Sequence, residues 1–274
     1  MVEPSAANSR HELPVSARVG LDGWLAAGAI VVGVPILVLE VPAELRFLLP
    51  ASRRGPTVRI TAAASDTVGH VVQAAGIPLT EVGQVTLDGQ PVPAATRVAD
   101  GVLAISAAAR PQPTPTWPPR FVLDVHLGGL ARRLRLLGLD LAYRPDAEDP
   151  ALVEQAAAEQ RVLLSQDRGL LRRRAVLAGA LVRGAGTADQ LADVLDRFAP
   201  PLTPWTRCPS CGGWLEPVPL EEIAAQLEPG TRQTYRDFAR CRRCAQAYWR
   251  GAHGTRLQRE VERAQGIVSR RRLG

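Results

Sequence analysis

The 274-residue sequence predicts an α/β fold, in which a mostly parallel sheet is covered by helices on both faces. A smaller α+β module precedes this sheet and a cysteine-containing module follows it. Three observations indicate this order: strand-like and helix-like segments alternate over residues 120–198, five prolines fall within residues 111–119, and two Cys-x-x-Cys pairs come after residue 205. With 46% hydrophobic and 22% charged residues, the composition excludes a disordered chain.

The first 40 residues carry the weakest structural signal. Gly23–Leu39 is an uncharged run of 17 residues, close to the lower limit for a membrane span, and Arg10 and Arg18 precede it. A signal anchor and an N-terminal extension outside the folded domains both fit this pattern. We take residues 1–40 as an extension of uncertain status, with no membrane contact as the default interpretation.

Residues 41–109 predict a small β-grasp domain. TVRITAAA alternates apolar residues as a strand does, VGHVVQAAG has helical spacing, and QVTLDGQPV and GVLAISAA are further strands. This order of elements resembles the ubiquitin-like family, which includes sulfur carriers that end in Gly-Gly. Residues 107–110 read Ala-Ala-Ala-Arg instead, so the sequence favours binding of a protein partner over a carrier role.

Residues 110–119 predict a semi-rigid, polyproline-like linker. The pattern then changes to alternating strands and helices over residues 120–205, which is typical of a parallel sheet covered on both faces. The predicted segments are, in order, RFVLDV, LGGLARRLRLLG, LDLAYR, a helix from Asp149 through Gln160, RVLLS, RGLLRRRAVLAG, ALVRG and TADQLADVLDRF.

Carboxylates follow the strands of this predicted sheet. Asp124 closes FVLD, Asp167 follows RVLLSQ, and Asp149 stands at the head of the helix between them. Ligands of such sheets bind beyond the carboxyl ends of the strands, so three converging acids predict a Mg²⁺ or Mn²⁺ site that could hydrolyse a phosphodiester. Asp149 also fits a helix N-cap and Asp167 a turn, whereas an acid that closes an apolar strand needs a partner.

Cys208, Cys211, Cys241 and Cys244 predict one structural zinc ion. The two pairs are separated by 29 residues and supply four thiolates, the ligand set of tetrahedral zinc sites. Four sulfur ligands leave no position for a catalytic water. Disulfides would need an oxidising compartment, so the pattern favours a reducing, cytoplasmic location.

Basic residues are concentrated after the linker. All 33 are arginines; residues 1–119 hold 8 of them against 9 acids, and residues 120–274 hold 25 against 18. The second region is therefore the candidate for contact with a polyanion such as RNA. Arg240, Arg242 and Arg243 adjoin Tyr248 and Trp249, a combination that fits base stacking and fits core packing equally well.

Several segments together resemble the Mut-seven C-terminal RNase domain family, PIN-fold nucleases that carry a zinc ribbon and often a ubiquitin-like domain in front. These segments are DVHLGGLARRLRLLG, LLSQDRGLL, both Cys-x-x-Cys pairs and YWRGAH. The resemblance covers about residues 42–253 and implies a PIN-like RNase domain over 120–205 and a zinc ribbon over 206–253. Residues 254–274 remain as a basic tail, either flexible or with nonspecific affinity for RNA.

The resemblance implies hydrolysis of RNA phosphodiester bonds. Asp124 and Asp167 match ligands of the principal Mg²⁺ or Mn²⁺ ion, and Asp149 would orient the water or a second ion. The sequence has Ser-Gln-Asp where Thr-Arg-Asp is more usual, and Asp189 is the candidate for a fourth acid. Substrate contacts are expected from Ser165, Arg132, Arg133 and Arg168, although a solvated helix face explains each arginine equally well.

Two other functions fit the same residues. One is a non-catalytic RNA-binding adaptor built on the zinc ribbon and the basic surface, in which the acids do no chemistry. The other is a nuclease with one defined RNA target. Cleavage that depends on Asp124 and Asp167 separates the enzyme from the adaptor.

Overall fold

The computed structural model describes residues 34–249 and 254–273. The predictions for residues 1–33 lie outside this part of the chain. The end of the apolar run forms strand β1 (Ile36–Glu40), in which Leu37 and Leu39 are fully buried. The folded domain therefore begins before residue 41, because the alternation of the run fits a half-buried strand. Within the described residues, no helix is long and apolar enough to cross a membrane.

The β-grasp domain (residues 34–109) has a five-stranded sheet in the order β2-β1-β5-β3-β4, with β1 parallel to β5 and the other pairs antiparallel. Helix α1 (Val68–Ala74) lays three buried valines on this sheet. The apolar segment at residues 41–50 is a short 3-10 helix, Ala43–Leu48. The remaining strands are β2 (Thr57–Thr61), β3 (Val82–Leu87), β4 (Gln90–Pro91) and β5 (Gly101–Ala107).

The central domain (residues 120–205) contains the predicted parallel sheet, in the order β7-β6-β8-β9. Phe121 and Leu123 point to one face of it, and Val122 and Leu163 to the other. The strands are β6 (Arg120–Leu123), β7 (Asp140–Tyr143), β8 (Val162–Ser165) and β9 (Gly179–Leu181); the helices are α2 (Gly128–Leu136), α3 (Asp149–Ala158), α4 (Arg168–Leu171) and α5 (Thr187–Phe198).

Two predicted helices of the central domain differ in their bounds. The helix expected over residues 168–179 ends at Leu171. Leu170 and Leu171 are buried, whereas the three arginines that follow provide no apolar side chain to pack against the core. Helix α3 begins at Asp149, as predicted, but ends at Ala158 and not at Gln160; its N-cap is Glu148, without a side-chain capping bond. Asp149 is therefore not the N-cap of this helix.

The cysteine module (residues 206–249) is a small antiparallel sheet in the order β10-β11-β12. Its core is limited to four buried residues, so little apolar burial is available to stabilise it. These residues are Ile223, Leu227, Phe238 and Ala247. The elements are β10 (Leu215–Pro217), α6 (Leu220–Ile223), α7 (Pro229–Thr234), β11 (Phe238–Cys241) and β12 (Ala247–Trp249).

The predicted basic tail forms a 20-residue helix, α8 (Gly254–Leu273). Val261, Ala264 and Val268 recur at helical spacing and are buried in the same core as helices α2 and α5. A flexible end is therefore wrong for residues 254–273. The six arginines of this segment obscure its narrow apolar face in the sequence.

The β-grasp domain and the central domain share one hydrophobic core. A single cluster of buried residues includes Leu37 and Leu103 from the first and Val122, Leu163 and Leu181 from the second. The β-grasp domain thus covers one face of the central sheet together with α3 and α4, while α2, α5 and α8 cover the other.

Buried polar groups also join these two domains. Glu81, only 2% exposed, forms an ion pair of 2.9 Å with Arg197 of α5, and its Oε1 accepts a hydrogen bond of 2.8 Å from the backbone N–H of Leu181. The linker adds to this junction, since Arg110 pairs with Asp193 and Asp196 at 2.9 and 2.7 Å. The linker therefore lies against α5 and is not a spacer between separate domains.

Candidate active site and metal centre

Asp124 lies where strand β6 ends, at the carboxyl edge of the central sheet. Its carboxylate is buried, and Oδ2 accepts a hydrogen bond of 2.5 Å from Ser165 Oγ. Ser165 is the last residue of β8, the parallel neighbour of β6, which explains why two residues 41 positions apart meet. Parallel strands end at the same edge of their sheet, as the sequence reasoning assumes.

Asp167 is joined to Asp124 through the same serine. The backbone N–H of Asp167 donates a hydrogen bond of 2.8 Å to Ser165 Oγ. The Asp167 side chain is exposed, and its Oδ1 accepts a hydrogen bond of 2.6 Å from the N–H of Gly169, which caps helix α4. Ser165 is fully buried, so its hydroxyl holds the two aspartates in register and has no access to a substrate.

The electrostatic surroundings of Asp124 differ from those of the other buried acids in the described chain. Glu81 is paired with Arg197, and Glu260, 6% exposed, is paired with Arg133. Asp124 is 4% exposed, and within residues 34–249 and 254–273 it has a hydroxyl partner but no basic one. Burial of an unpaired carboxylate is costly, and a bound cation would offset that cost.

Asp149 has a different partner. It lies in the first turn of α3, and its Oδ2 accepts a hydrogen bond of 2.7 Å from Arg173. Among the described residues, the four cysteines are the only group of three or more His, Cys, Asp or Glu whose ligand atoms all lie within 4.8 Å of one another. The structure thus links Asp124 with Asp167 through Ser165. Asp149 is paired with Arg173 instead, and the three acids do not form a group as tight as that of the cysteines.

Gln166 stands before Asp167, where an arginine is more usual in the family that the sequence resembles, and its contacts give it a structural role. Gln166 Nε2 donates hydrogen bonds to the carbonyls of Val182 and Gly184 at 3.3 and 2.9 Å. Its amide therefore fastens the loop after β8 to the segment after β9. Asp189, the candidate fourth acid, lies exposed in the first turn of α5.

The four cysteines form a compact group that fits one zinc ion. The Sγ atoms of Cys208 and Cys244 are 3.8 Å apart, and those of Cys211 and Cys241 are 3.4 Å apart. A tetrahedron with Zn–S bonds of about 2.3 Å has edges of about 3.8 Å, whereas a disulfide would bring two sulfurs to about 2 Å. The donor set is therefore that of a zinc-binding Cys₄ site.

Local contacts shape the turn beside the cysteines and favour the thiolate form of Cys208. A Cβ on Gly213 would lie 2.9 Å from Cys241 Sγ, so the turn requires glycine. Burial disfavours ionisation of Cys208, but the Tyr248 hydroxyl, whose oxygen lies 3.0 Å from Cys208 Sγ, and backbone N–H groups outweigh it and lower the pKa of Cys208 to about 7. Burial and hydrogen bonds within the cysteine group act in the opposite direction on Cys211 and raise its pKa, so Tyr248 favours the thiolate at Cys208 in particular.

Comparison with known families is consistent with this geometry. The family model described as Mut7-C RNAse domain matches residues 119–261, which is more than half of the chain. This chain belongs to the Mut7-C RNAse domain family. The model described as Mut7-C ubiquitin matches residues 34–114, in agreement with β1 as the first strand. No curated protein and no solved structure matches the chain.

The family assignment confirms the predicted order of a ubiquitin-like domain followed by an RNase domain, and it supports a ribonuclease. The central domain and helix α8 up to residue 261 fall within the Mut7-C RNAse match, as does the whole cysteine module. The β-grasp domain is the Mut7-C ubiquitin domain, and it shares a hydrophobic core with the central domain.

The three arginines expected to contact substrate have different surroundings in the RNase domain. Arg132 is exposed and lines a cleft beside the cysteine module. Arg133 forms an ion pair with Glu260 of α8. Arg168 lies over the Phe47 ring of the β-grasp domain, 5.5 Å from its centroid, and donates a hydrogen bond to the Leu48 carbonyl.

The basic and aromatic residues of the cysteine module also divide into two groups. Arg240 and Arg242 form ion pairs with Glu216 at 3.6 and 2.8 Å, whereas Arg243 lines the same cleft as Arg132. Trp249 is 40% exposed, so core packing does not account for it. Arg135 and Arg144 also line this cleft. The sequence does not indicate this, because their positions relative to the cysteine module depend on the tertiary fold.

Proposed function

We propose that this protein is a metal-dependent ribonuclease that hydrolyses RNA phosphodiester bonds at the carboxyl edge of the central sheet. The observation that carries the proposal is the buried Asp124 carboxylate, which lacks a basic partner among the described residues and is linked through Ser165 to Asp167. The family assignment supports ribonuclease chemistry, and RNA is the corresponding substrate class.

Asp124 and Asp167 would hold the principal Mg²⁺ or Mn²⁺ ion, because carboxylate oxygens are the ligands that these hard cations prefer. When bound, the ion would lower the pKa of a water molecule and stabilise the departing oxyanion. Ser165 is a positioning residue: its hydroxyl donates to Asp124 and accepts from the Asp167 N–H, which fixes both acids relative to each other.

Asp149 has a secondary place in this proposal. Its side chain is 39% exposed and paired with Arg173, so we assign it to orienting the attacking water or a second ion. The ion pair with Arg173 would hold the Asp149 carboxylate at the start of α3.

The zinc site would have a structural role. Cys208, Cys211, Cys241 and Cys244 would hold one Zn²⁺, whose four sulfur ligands leave no position for a water. Since the apolar core of the cysteine module is so small, metal binding would provide much of its folding free energy. The module, held in place by zinc, would then assist RNA binding, and the exposed surface of the β-grasp domain would be available to a protein partner.

Substitution of the acids tests the catalytic part of the proposal. Asp124→Asn and Asp167→Asn should each lower Mg²⁺- or Mn²⁺-dependent cleavage of single-stranded RNA by at least about a hundredfold, and Ser165→Ala by about 10- to 100-fold. Glu154→Gln, an exposed carboxylate on α3, is the matched control and should retain full activity. Metal-dependent cleavage that survives both aspartate substitutions would mean that catalysis does not use this site. RNA binding by the wild type without metal-dependent cleavage would favour the RNA-binding adaptor.

A further inference from the structure

We propose that single-stranded RNA reaches the acid site along the cleft between helix α2 and the cysteine knuckles, with its phosphates bound by Arg132, Arg144 and Arg243. This inference rests on the proposed ribonuclease function and names the route of its substrate. The cleft has a volume of about 880 Å³.

The two walls of the cleft belong to different modules. The RNase domain contributes the start of α2 and the end of β7, including Gly128 and Tyr143, and the cysteine module contributes Ser210 and Cys211 of its first knuckle. Volumes of this size hold ligands of drug size, so the cleft accommodates a short stretch of one strand and not a duplex. No acidic residue is among the described residues that line it.

The exposed arginines of the cleft have no carboxylate partner among the described residues. Arg132, Arg144 and Arg243 are exposed, and within the described part of the chain none of the three has an ion-pair partner. Exposed arginines without an ion-pair partner among the described residues also occur elsewhere, such as Arg59 on β2, so what distinguishes these three is that they line one cleft. Four arginines line the cleft, so their charge exceeds the net −2 that a Zn²⁺ ion with four thiolates would place beside it, and the excess favours binding of a polyanion.

The cleft lies at the carboxyl edge of the central sheet, where Tyr143 of β7 pairs with Leu123, the residue before Asp124. Helix α2 begins at Gly128, four residues after Asp124, and the Tyr143 hydroxyl donates a hydrogen bond of 2.9 Å to the carbonyl of Val125, the residue next to Asp124. A Cβ at position 128 would lie 2.6 Å from the Tyr143 oxygen, so glycine permits this contact. Tyr143 places an aromatic ring beside the arginines, the combination that binds single-stranded nucleic acid by stacking and phosphate contact.

Arg135 holds the two walls together. It is buried on α2, and its Nη1 donates a hydrogen bond of 2.6 Å to the carbonyl of Ser210 in the first knuckle. Gly212 approaches so closely that a Cβ would lie 3.1 Å from Arg135 Nε. Arg135 is therefore a positioning residue, which sets the width of the cleft and is unsuitable for a test of RNA contact alone.

The test uses RNA binding and not cleavage. In an Asp124→Asn background, the affinity for a fluorescent single strand of about 12 nucleotides is measured by anisotropy between about 50 and 200 mM salt. Arg132→Ala/Arg144→Ala/Arg243→Ala removes the three exposed cleft arginines. Arg53→Ala/Arg59→Ala/Arg97→Ala removes three exposed arginines of the β-grasp domain and is the control with the same change in net charge.

The cleft variant should bind at least about tenfold more weakly, and the slope of log K against log salt should decrease in magnitude by about 2, because each contact with a single-strand phosphate contributes about 0.7. The control variant should bind within about twofold of the background. Equal losses in both variants, an unchanged slope in the cleft variant, or equally tight binding of a duplex would each overturn the proposal.

This outcome is separable from that of the proposed function. If Asp124→Asn fails to abolish cleavage, the assignment of the acid site is wrong, yet the salt slope still reports on the cleft. If the slope is unaffected while Asp124→Asn abolishes cleavage, the acid site stands and the RNA follows another route. Circular dichroism and zinc content of both triple variants confirm that each is folded.

Discussion

The central domain has two junctions, one with the β-grasp domain and one with the cysteine module, and they are built in different ways. At the first, apolar side chains from both domains form one core, and the buried Glu81 and Arg197 neutralise each other. At the second, Arg135 bridges the walls of a cleft whose exposed arginines face no acid among the described lining residues.

The difference indicates what each junction is for. Charges that are paired inside a shared core stabilise a fixed arrangement and leave nothing for a ligand. Charges that line an open cleft add little to stability and are available to a polyanion. The β-grasp domain thus completes the core of the central domain, whereas the cysteine module completes a surface.

Removal of the proposed zinc should have the largest effect, and only on the second junction. Cys208→Ser should abolish zinc binding and unfold the cysteine module, since structural zinc contributes about 10 kcal/mol or more to the folding of such small modules. Hydrogen exchange should show lost protection in residues 206–249 and unchanged protection in residues 34–123. Ser210→Ala, in the same knuckle, should retain one zinc per chain; simultaneous unfolding of both junctions in Cys208→Ser would contradict the contrast.

Breaking the buried ion pair should have the next largest effect, and on the first junction. Arg197→Ala leaves the buried Glu81 carboxylate with only the longer contact to Arg183 at 3.7 Å, so the free energy of unfolding in urea should fall by about 3 kcal/mol. The double variant Glu81→Leu/Arg197→Met should lose less than Arg197→Ala, because it leaves no uncompensated charge. A loss below about 0.5 kcal/mol, the level expected for the exposed control Arg59→Ala, would show that the pair does not stabilise the junction.

A smaller effect is expected from acidification at the linker. Burial raises the pKa of Asp196, but hydrogen bonds from Arg110 and Arg271 outweigh it and leave the pKa below its ordinary value. The stabilisation is therefore present above about pH 4 and is lost as the pH falls through the lower, folded-state pKa. Between about pH 6 and pH 2, the free energy of unfolding should vary less with pH for Asp196→Asn than for the wild type, by about 1 kcal/mol or less. Identical curves would exclude a contribution from this cluster.

The smallest effect on stability should come from the cleft arginines. Arg132→Ala/Arg144→Ala/Arg243→Ala removes exposed side chains without ion-pair partners in the described chain, so the free energy of unfolding should change by no more than about 0.5 kcal/mol per site. A small increase in the free energy of unfolding would also agree with this expectation, because the substitutions relieve repulsion between like charges. A large loss would mean that these side chains serve the fold, as those of the first junction do.

Much of the architecture could be predicted from local pattern. Alternating strands and helices identify the parallel sheet, and the position of Asp124 and Asp167 after their strands places both at one edge, since parallel strands end together. The start of the β-grasp domain was missed because β1 is hidden at the end of a long apolar run. Helix α8 was missed because six arginines outweigh a narrow apolar face.

The sequence by itself determined the order of the domains, the grouping of the four cysteines and the strand-end acids, because each depends on local spacing or on the rule that parallel strands end at one edge. Only the tertiary structure decided which charges are paired. Arg133 and Arg168 look like Arg132 in sequence, yet the first pairs with Glu260 and the second lies over Phe47. The physical reason is that neutralisation of a charge depends on contacts between residues far apart in the chain, and local spacing carries no record of those contacts.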